Sequence, residues 1–328
     1  MTTPSQRLVP IAPLLLLAAL CAAGCGKQSQ PTAPSGDTDG IDLLVYRSDR
    51  TTAGNYDVWM YDVNEVGFRA LPNLNSASDE SEPCLSNDGA LVAFASDRAG
   101  GVGGYDVYVY DRGGEAPVAT PGLNTGANET WPRFAYDSVN LAFVRDSASF
   151  GRLRLYTPNG DSLLGLPGLS TGGPLTDTAP APDFHGDRIA FQSDRAGNWD
   201  VFVWNRSGGI AALSDLASAA SDSEPSLTSD GRWLAFASDR AGGAGGYDVY
   251  LHDLQASTFV ALPGLNTAGE ERHPAVSLSG DLVFFQARAT PSDHWGLWQY
   301  VVSTHTLTQP AGLASAGADK LQPYARVR

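Results

Sequence analysis

Three short segments decide the fold: Pro83-Cys84-Leu85-Ser86-Asn87-Asp88-Gly89, Leu91-Val92-Ala93-Phe94-Ala95 and, after Ser96-Asp97-Arg98 and a glycine-rich loop, Tyr105-Asp106-Val107-Tyr108-Val109-Tyr110. Asp88-Gly89 supplies the positive backbone dihedrals of a tight hairpin. The apolar run after it suits a strand covered on both faces. The aromatic and β-branched residues that follow fit a pleated surface.

The same order recurs. A proline series at Pro83, Pro132, Pro182, Pro225, Pro274 and Pro323 has spacings of 49, 50, 43, 49 and 49. Residues 41–328 divide into six units averaging 48 residues. Each unit ends in a short strand and a turn such as Leu262-Pro263-Gly264-Leu265-Asn266-Thr267, making four strands with no room for a substantial helix. Units of this length and content predict an all-β, six-bladed β-propeller of four-stranded blades. Residues 41–47 read as the second strand of a blade, and Pro323 to Val327 as a first strand alone. The carboxyl-terminal strand is therefore expected to complete the first blade, which removes exposed sheet edges.

Composition narrows the function. The 328 residues carry 21 basic and 36 acidic side chains, a net charge of −15, which argues against nucleic-acid binding. With 42% hydrophobic and 17% charged residues the chain falls in the ordinary globular range, and 36 Gly and 21 Pro favour many turns.

Residues 1–24 read as a signal peptide: Arg7, then an apolar stretch from Leu8 to Ala23, then small residues. Sixteen helical residues span about 24 Å, short of a bilayer core of about 30 Å. Ala22-Ala23-Gly24-Cys25 resembles the bacterial lipobox, with Ala22 where that motif usually has Leu, and implies lipidation of Cys25. Residues 25–40 hold no aliphatic side chain larger than Ala beyond the cysteine and read as a flexible tether. Cys21 leaves with the signal, so Cys84 has no partner for an intramolecular disulfide. The expected address is the bacterial envelope, lipid-anchored, and Gly26 favours the outer membrane facing the periplasm.

The repeat Pro-x-x-Ser-x-Asp-Gly, apolar strand, Ser-Asp-Arg, aromatic-Asp-Val-Tyr resembles the propeller repeats of the TolB family. Its carriers are Ser48-Asp49-Arg50, Ser96-Asp97-Arg98, Ser193-Asp194-Arg195 and Ser238-Asp239-Arg240. The unit at Pro132 has Arg145-Asp146 in reversed order, and the one at Pro274 keeps Arg288 alone. The resemblance implies a propeller that binds proteins in the envelope. TolB proper carries an amino-terminal α/β domain, where this chain has a tether.

Several catalytic patterns are weak here. Gly168-Leu169-Ser170-Thr171-Gly172 matches a nucleophile elbow, but Gly173-Pro174 follow where a helix is required. Gly100–Gly104 and Gly242–Gly246 lack the helix of a phosphate cradle. His185, His252, His273, His294 and His305 show no metal-ligand spacing. Ser193 to Trp199 misses the spacing of a sialidase Asp-box. The Ser-Asp-Arg sets read as structural pairs, Asp97 with Arg98, Asp194 with Arg195 and Asp239 with Arg240, the arginines also reaching Asp106 or Asp200 across the hairpin.

Acidic residues gather before the prolines. Asp79, Glu80, Glu82, Glu129, Asp177, Asp222, Glu224, Glu270, Glu271 and Asp319 stand against Arg272 and Lys320, a net of −8 within 30 residues. Ring closure is expected to bring these segments to one channel mouth, where like charges focus potential. The sequence reading is a monomeric, non-catalytic scaffold with no required cofactor. Glu80, Glu129, Asp222 and Glu271 form its partner-binding rim, for an envelope protein or a basic peptide, with Ala179 and Lys320 as interruptions. Calcium at this rim is a lesser expectation. The alternative is an envelope polysaccharide lyase or hydrolase that uses two rim carboxylates as acid and base.

Overall fold

The computed structural model describes residues 41–327 except 53, 148–149, 158–161, 165, 170–174, 212, 214, 217, 311–312 and 314–320. Among the described residues twenty-four strands form six antiparallel sheets of four. Blade 2 is β4 (Glu80–Leu85), β5 (Leu91–Ser96), β6 (Asp106–Asp111) and β7 (Ala116–Val118), from the channel outward. Blades 3 to 6 repeat this order, beginning at β8 (Glu129–Phe134), β12 (Asp177–Pro182), β16 (Asp222–Leu227) and β20 (Glu270–Val276). Blade 1 joins β24 (Leu321–Val327) to β1 (Ile41–Thr52), β2 (Asn55–Asp62) and β3 (Gly67–Arg69), with Val45 opposite Tyr324. The ring is closed by the carboxyl-terminal strand, as the repeat arithmetic requires.

The core lies between blades. Six hydrophobic clusters each straddle one seam; that between blades 2 and 3 packs Ala93, Val107 and Val109 against Phe134, Phe143 and Tyr156. Fully burying a side chain such as Phe143, 0% exposed, contributes about 1.5–3 kcal/mol. The apolar second strands are covered on both faces for this reason.

The Asp-Gly turns form as read. Ser86 Oγ donates to Asp88 at 2.5 Å and accepts the Leu91 N–H at 2.9 Å, while Gly89 takes φ +71°. At the outer seam, the Asn of the Leu-Asn-Thr/Ser turns at 74–76, 123–125 and 265–267 bonds the third strand of the blade it follows like a piece of backbone. Asn124 Oδ1 accepts the Val107 N–H and its Nδ2 donates to Val107 O; Asn75 does the same at Val58 and Asn266 at Val249.

One register assignment is corrected. In every innermost strand the residue before the repeat proline is left-handed: Glu82, Trp131, Ala179, Glu224, His273 and Gln322, with φ from 48° to 57°. The pairing register with the second strand shifts there in each blade. In blade 4 this residue is Ala179, so the repeat proline is Pro180 and not Pro182. The six-fold position three before the proline is then Asp177, and Ala179 does not interrupt that ring.

Candidate functional site

The four expected rim carboxylates do occupy equivalent positions, but they face inward. Glu80, Glu129 and Glu271 are 0% exposed and Asp222 is 1% exposed, so their side chains do not meet a partner. For the three glutamates the cause is the Leu-Asn-Thr/Ser turn, whose Ser76, Thr125 or Thr267 folds over the carboxylate, while Asp222 is covered by Arg240. Glu129 accepts the Thr125 N–H at 3.0 Å and the Thr125 hydroxyl at 2.6 Å, and Arg145 Nε donates to it at 2.7 Å. Glu271 is cradled identically by Thr267, without an arginine, and burial pushes its carboxyl above the ordinary range. Burial also raises Asp222, against the opposing pull of Ser238 and Arg240.

The arginine pairing is corrected with the same geometry. Arg98 pairs with Glu80 at 2.9 Å, Arg195 with Asp177 at 2.5 Å and Arg240 with Asp222 at 2.9 Å, rather than with Asp97, Asp194 and Asp239 or with Asp106 and Asp200. Each guanidinium folds back over its own serine, with Arg240 Nε donating to Ser238 Oγ at 3.1 Å. Its flat faces rest on aromatic rings, Phe94 and Tyr108 for Arg98, Phe191 and Phe202 for Arg195. In blade 3 Arg145 stands where blades 2, 4 and 5 place serine and still reaches Glu129, which accounts for the reversed Arg-Asp order. Asp106 serves its own loop, accepting the Val102 N–H at 2.8 Å.

This leaves the aspartates of the Ser-Asp-Arg loops as the outward charges. Asp97 and Asp239 are exposed, and Asp49, Asp146 and Asp194 are half-buried. Asp194 and Asp239 each accept a backbone N–H, from Thr176 and Ser221. At the start of the third strand of blades 1 to 5 stand half-buried aromatic residues, Tyr56, Tyr105, Phe150, Trp199 and Tyr247. The Tyr105, Trp199 and Tyr247 carbonyls accept the N–H of Glu129, Asp222 and Glu271, which fixes these aromatics against the next blade.

Sequence reasoning missed the ring of left-handed residues. Non-glycine residues seldom adopt this conformation, and a residue before proline usually takes an extended one. Strain of this kind, about 1–3 kcal/mol per residue, persists only where the surroundings hold it. Here side chains from neighbouring blades do so. Gln322 Oε1 accepts the Glu82 N–H at 3.0 Å, Glu82 Oε2 accepts the Trp131 N–H at 2.5 Å, and Glu224 Oε2 accepts the His273 N–H at 2.8 Å. Gln192 and Gln286 accept those of Glu224 and Gln322. The available signal was the run of polar residues before the prolines, at Glu82, Glu224, His273 and Gln322.

These groups titrate abnormally. Burial pushes Glu82 up to about 6, opposed by the Trp131 N–H and the charges of Arg133 and Arg47. Burial takes His273 down to about 4, opposed by Glu224 and aided by Arg272, Arg133 and Arg47. Glu224 itself pairs with Arg272 at 2.8 Å.

Among the described residues no group of three or more His, Cys, Asp and Glu side chains is placed to hold a metal ion. His273 lies at the channel, His185 is exposed at the opposite end, and His252 is buried at a seam. Cys25, Ser170, Asp319 and Lys320 lie outside the described residues.

No protein-family model matches the sequence, and no curated protein matches it. Solved structures are similar in fold. TolB from Acinetobacter baumannii superposes with a TM-score of 0.67 at 16% identity, covering 87% of this chain and 66% of that one. The chain thus spans just under two thirds of that protein. A putative TolB from Agrobacterium tumefaciens gives a TM-score of 0.57 at 16% identity, covering 89% and 99%. An oligogalacturonate lyase from Vibrio parahaemolyticus gives 0.55 at 12%, covering 82% and 74%. In fold, the chain is a TolB-type six-bladed β-propeller.

Proposed function

We propose that the chain is a non-catalytic binding module of the bacterial envelope, tethered through a lipid on Cys25, whose Ser-Asp-Arg face docks a basic surface or peptide of a partner envelope protein. The observation that carries this reading is how charge is distributed at that face. Arg98, Arg145, Arg195 and Arg240 are each taken up by another carboxylate, so the aspartates beside them, Asp97, Asp146, Asp194 and Asp239, have no arginine partner among the described residues. Aromatic residues between the aspartates supply the anchors that dominate interface energies, and converging charge steers a basic partner.

The enzymatic alternative finds less support in the geometry. The channel cavity measures 60 Å³, against about 300–1,000 Å³ for ordinary ligand pockets. Its buried carboxylates are tied to backbone N–H groups and arginine.

The test is affinity capture from envelope extract by the full chain and by an Asp97→Lys/Asp239→Lys variant of unchanged melting temperature. Proteins held at low salt by the parent and lost by the variant are expected. Identical capture by both removes the function from this face.

A further inference from the structure

Below the ring of left-handed residues the innermost strands of five blades enclose a cavity of 60 Å³, whose lining includes Trp131, Arg133, Tyr136, Glu224, His273 and Tyr324. Five prolines, at 180, 182, 225, 274 and 323, complete much of the wall and bring no N–H donor. The Tyr136 hydroxyl donates to Leu227 O at 3.4 Å, crossing to the innermost strand of blade 5.

Arg133 differs from the other arginines of the inner blade regions. Arg98, Arg145, Arg195, Arg240, Arg272 and Arg288 each have a carboxylate partner, whereas among the described residues Arg133 has none within 4.0 Å. Its Nη1 donates to the carbonyls of Glu82 and Pro132 at 3.2 and 2.8 Å, and the Cys84 thiol lies beside the guanidinium. The Trp131 and Tyr324 rings flank it, with centroids 5.9 and 5.6 Å away. Arg47, which also acts on Glu82 and His273, likewise lacks a carboxylate at that distance, and its buried Nε has no hydrogen-bond partner. Both guanidiniums act on the Glu82 carboxylate only from beyond 4.0 Å, which leaves Arg133 able to take an anion in direct contact.

We propose that this cavity binds a small free oxyanion of the carboxylate class, acetate in size, held by the guanidinium of Arg133 between Trp131 and Tyr324. A guanidinium presents a planar fork that matches a carboxylate, and such charge-assisted bonds are about twice as strong as neutral ones. A space of 60 Å³ holds a few waters, which suits an ion of acetate size. The site is separate from the aspartates of the docking face and stands or falls independently of them.

Thermal unfolding of the full chain in sodium acetate and in sodium chloride of equal ionic strength tests the assignment. A ligand that binds only the folded state raises its melting temperature, here by about 2–4 °C over chloride at saturation. Arg133→Gln is expected to abolish that difference, and Arg152→Gln, outside the cavity lining, to keep it. Should Arg133→Gln fail to fold, crystals of the parent soaked in sodium acetate are expected to show planar four-atom density in the cavity beside Arg133 that chloride-soaked crystals lack. Equal melting temperatures in the two salts, or acetate density confined to sites outside the cavity, overturn the proposal.

Discussion

Arg98 and Glu80 meet at 2.9 Å across the first two strands of blade 2, with Glu80 fully enclosed and the Arg98 guanidinium lying over Phe94 and Tyr108. The Ser76 hydroxyl and N–H and the Ser96 hydroxyl complete the carboxylate's hydrogen bonds. The motif that marks the family resemblance is thus a device for closing the loop face, and it leaves the neighbouring aspartate free to face outward.

Removing one partner strands the other. Arg98→Ala leaves the Glu80 charge buried and is expected to cost about 3–5 kcal/mol in denaturant unfolding, whereas Asp97→Ala, on the exposed neighbour, is expected to change stability by less than about 0.5 kcal/mol. Equal effects of the two substitutions would contradict the pairing.

A second prediction concerns the seam between blades 4 and 5. In other blades an aromatic side chain of the third strand donates to a proline carbonyl of the preceding blade: Tyr110 to Pro72, Tyr156 to Pro121, Trp204 to Pro167 and Tyr300 to Pro263. His252 takes this place and bonds Asp215 at 2.5 Å. Asp215→Ala removes the partner of a buried ring nitrogen and is expected to lower stability by about 1–3 kcal/mol. Measured unfolding unchanged by Asp215→Ala would show that this seam needs no latch.

The channel groups predict opposing pH effects. For His273, lowered to about 4 in the fold, stabilisation is present above its unfolded value near 6.5 and lost as pH falls toward 4. For Glu82, raised to about 6, stabilisation is present below its unfolded value near 4.5 and lost as pH rises to 6. Glu82→Gln should therefore steepen the loss of stability between pH 6 and 4.5, and His273→Gln should flatten the loss between pH 6.5 and 4. The shifts correspond to about 2 and 3 kcal/mol. Parallel stability–pH curves for parent and variants would refute both assignments.

The proposed lipid anchor rests on Cys25. Labelled fatty acid is expected to enter the parent chain in a bacterial host and to be absent from Cys25→Ser, which should fractionate away from membranes. Retention of label by Cys25→Ser would reject lipidation at that residue.

Much of the fold was legible because its determinants are local. Asp88-Gly89 specifies a turn and Leu91–Ala95 a covered strand without reference to the rest of the chain. The side-chain directions before each proline were not legible. An extended strand alternates faces, but the left-handed residue at Glu82 shifts the register with β5, so alternation read from the prolines misplaces Glu80. The same feature hid Pro180, because Pro182 also ends the innermost strand of its blade and only the backbone at Ala179 distinguishes them. The Arg98–Glu80 pair escaped because it joins the start of β4 to the loop after β5, 18 residues away, whereas Asp97 is adjacent in sequence.

The most direct test of the account is in-cell crosslinking from a photoreactive residue at position 97, on the aspartate face, with a matched probe at His185 on the opposite end. The account predicts one protein captured from position 97 and not from position 185. Capture of the same proteins from both positions, or from position 185 alone, would contradict it.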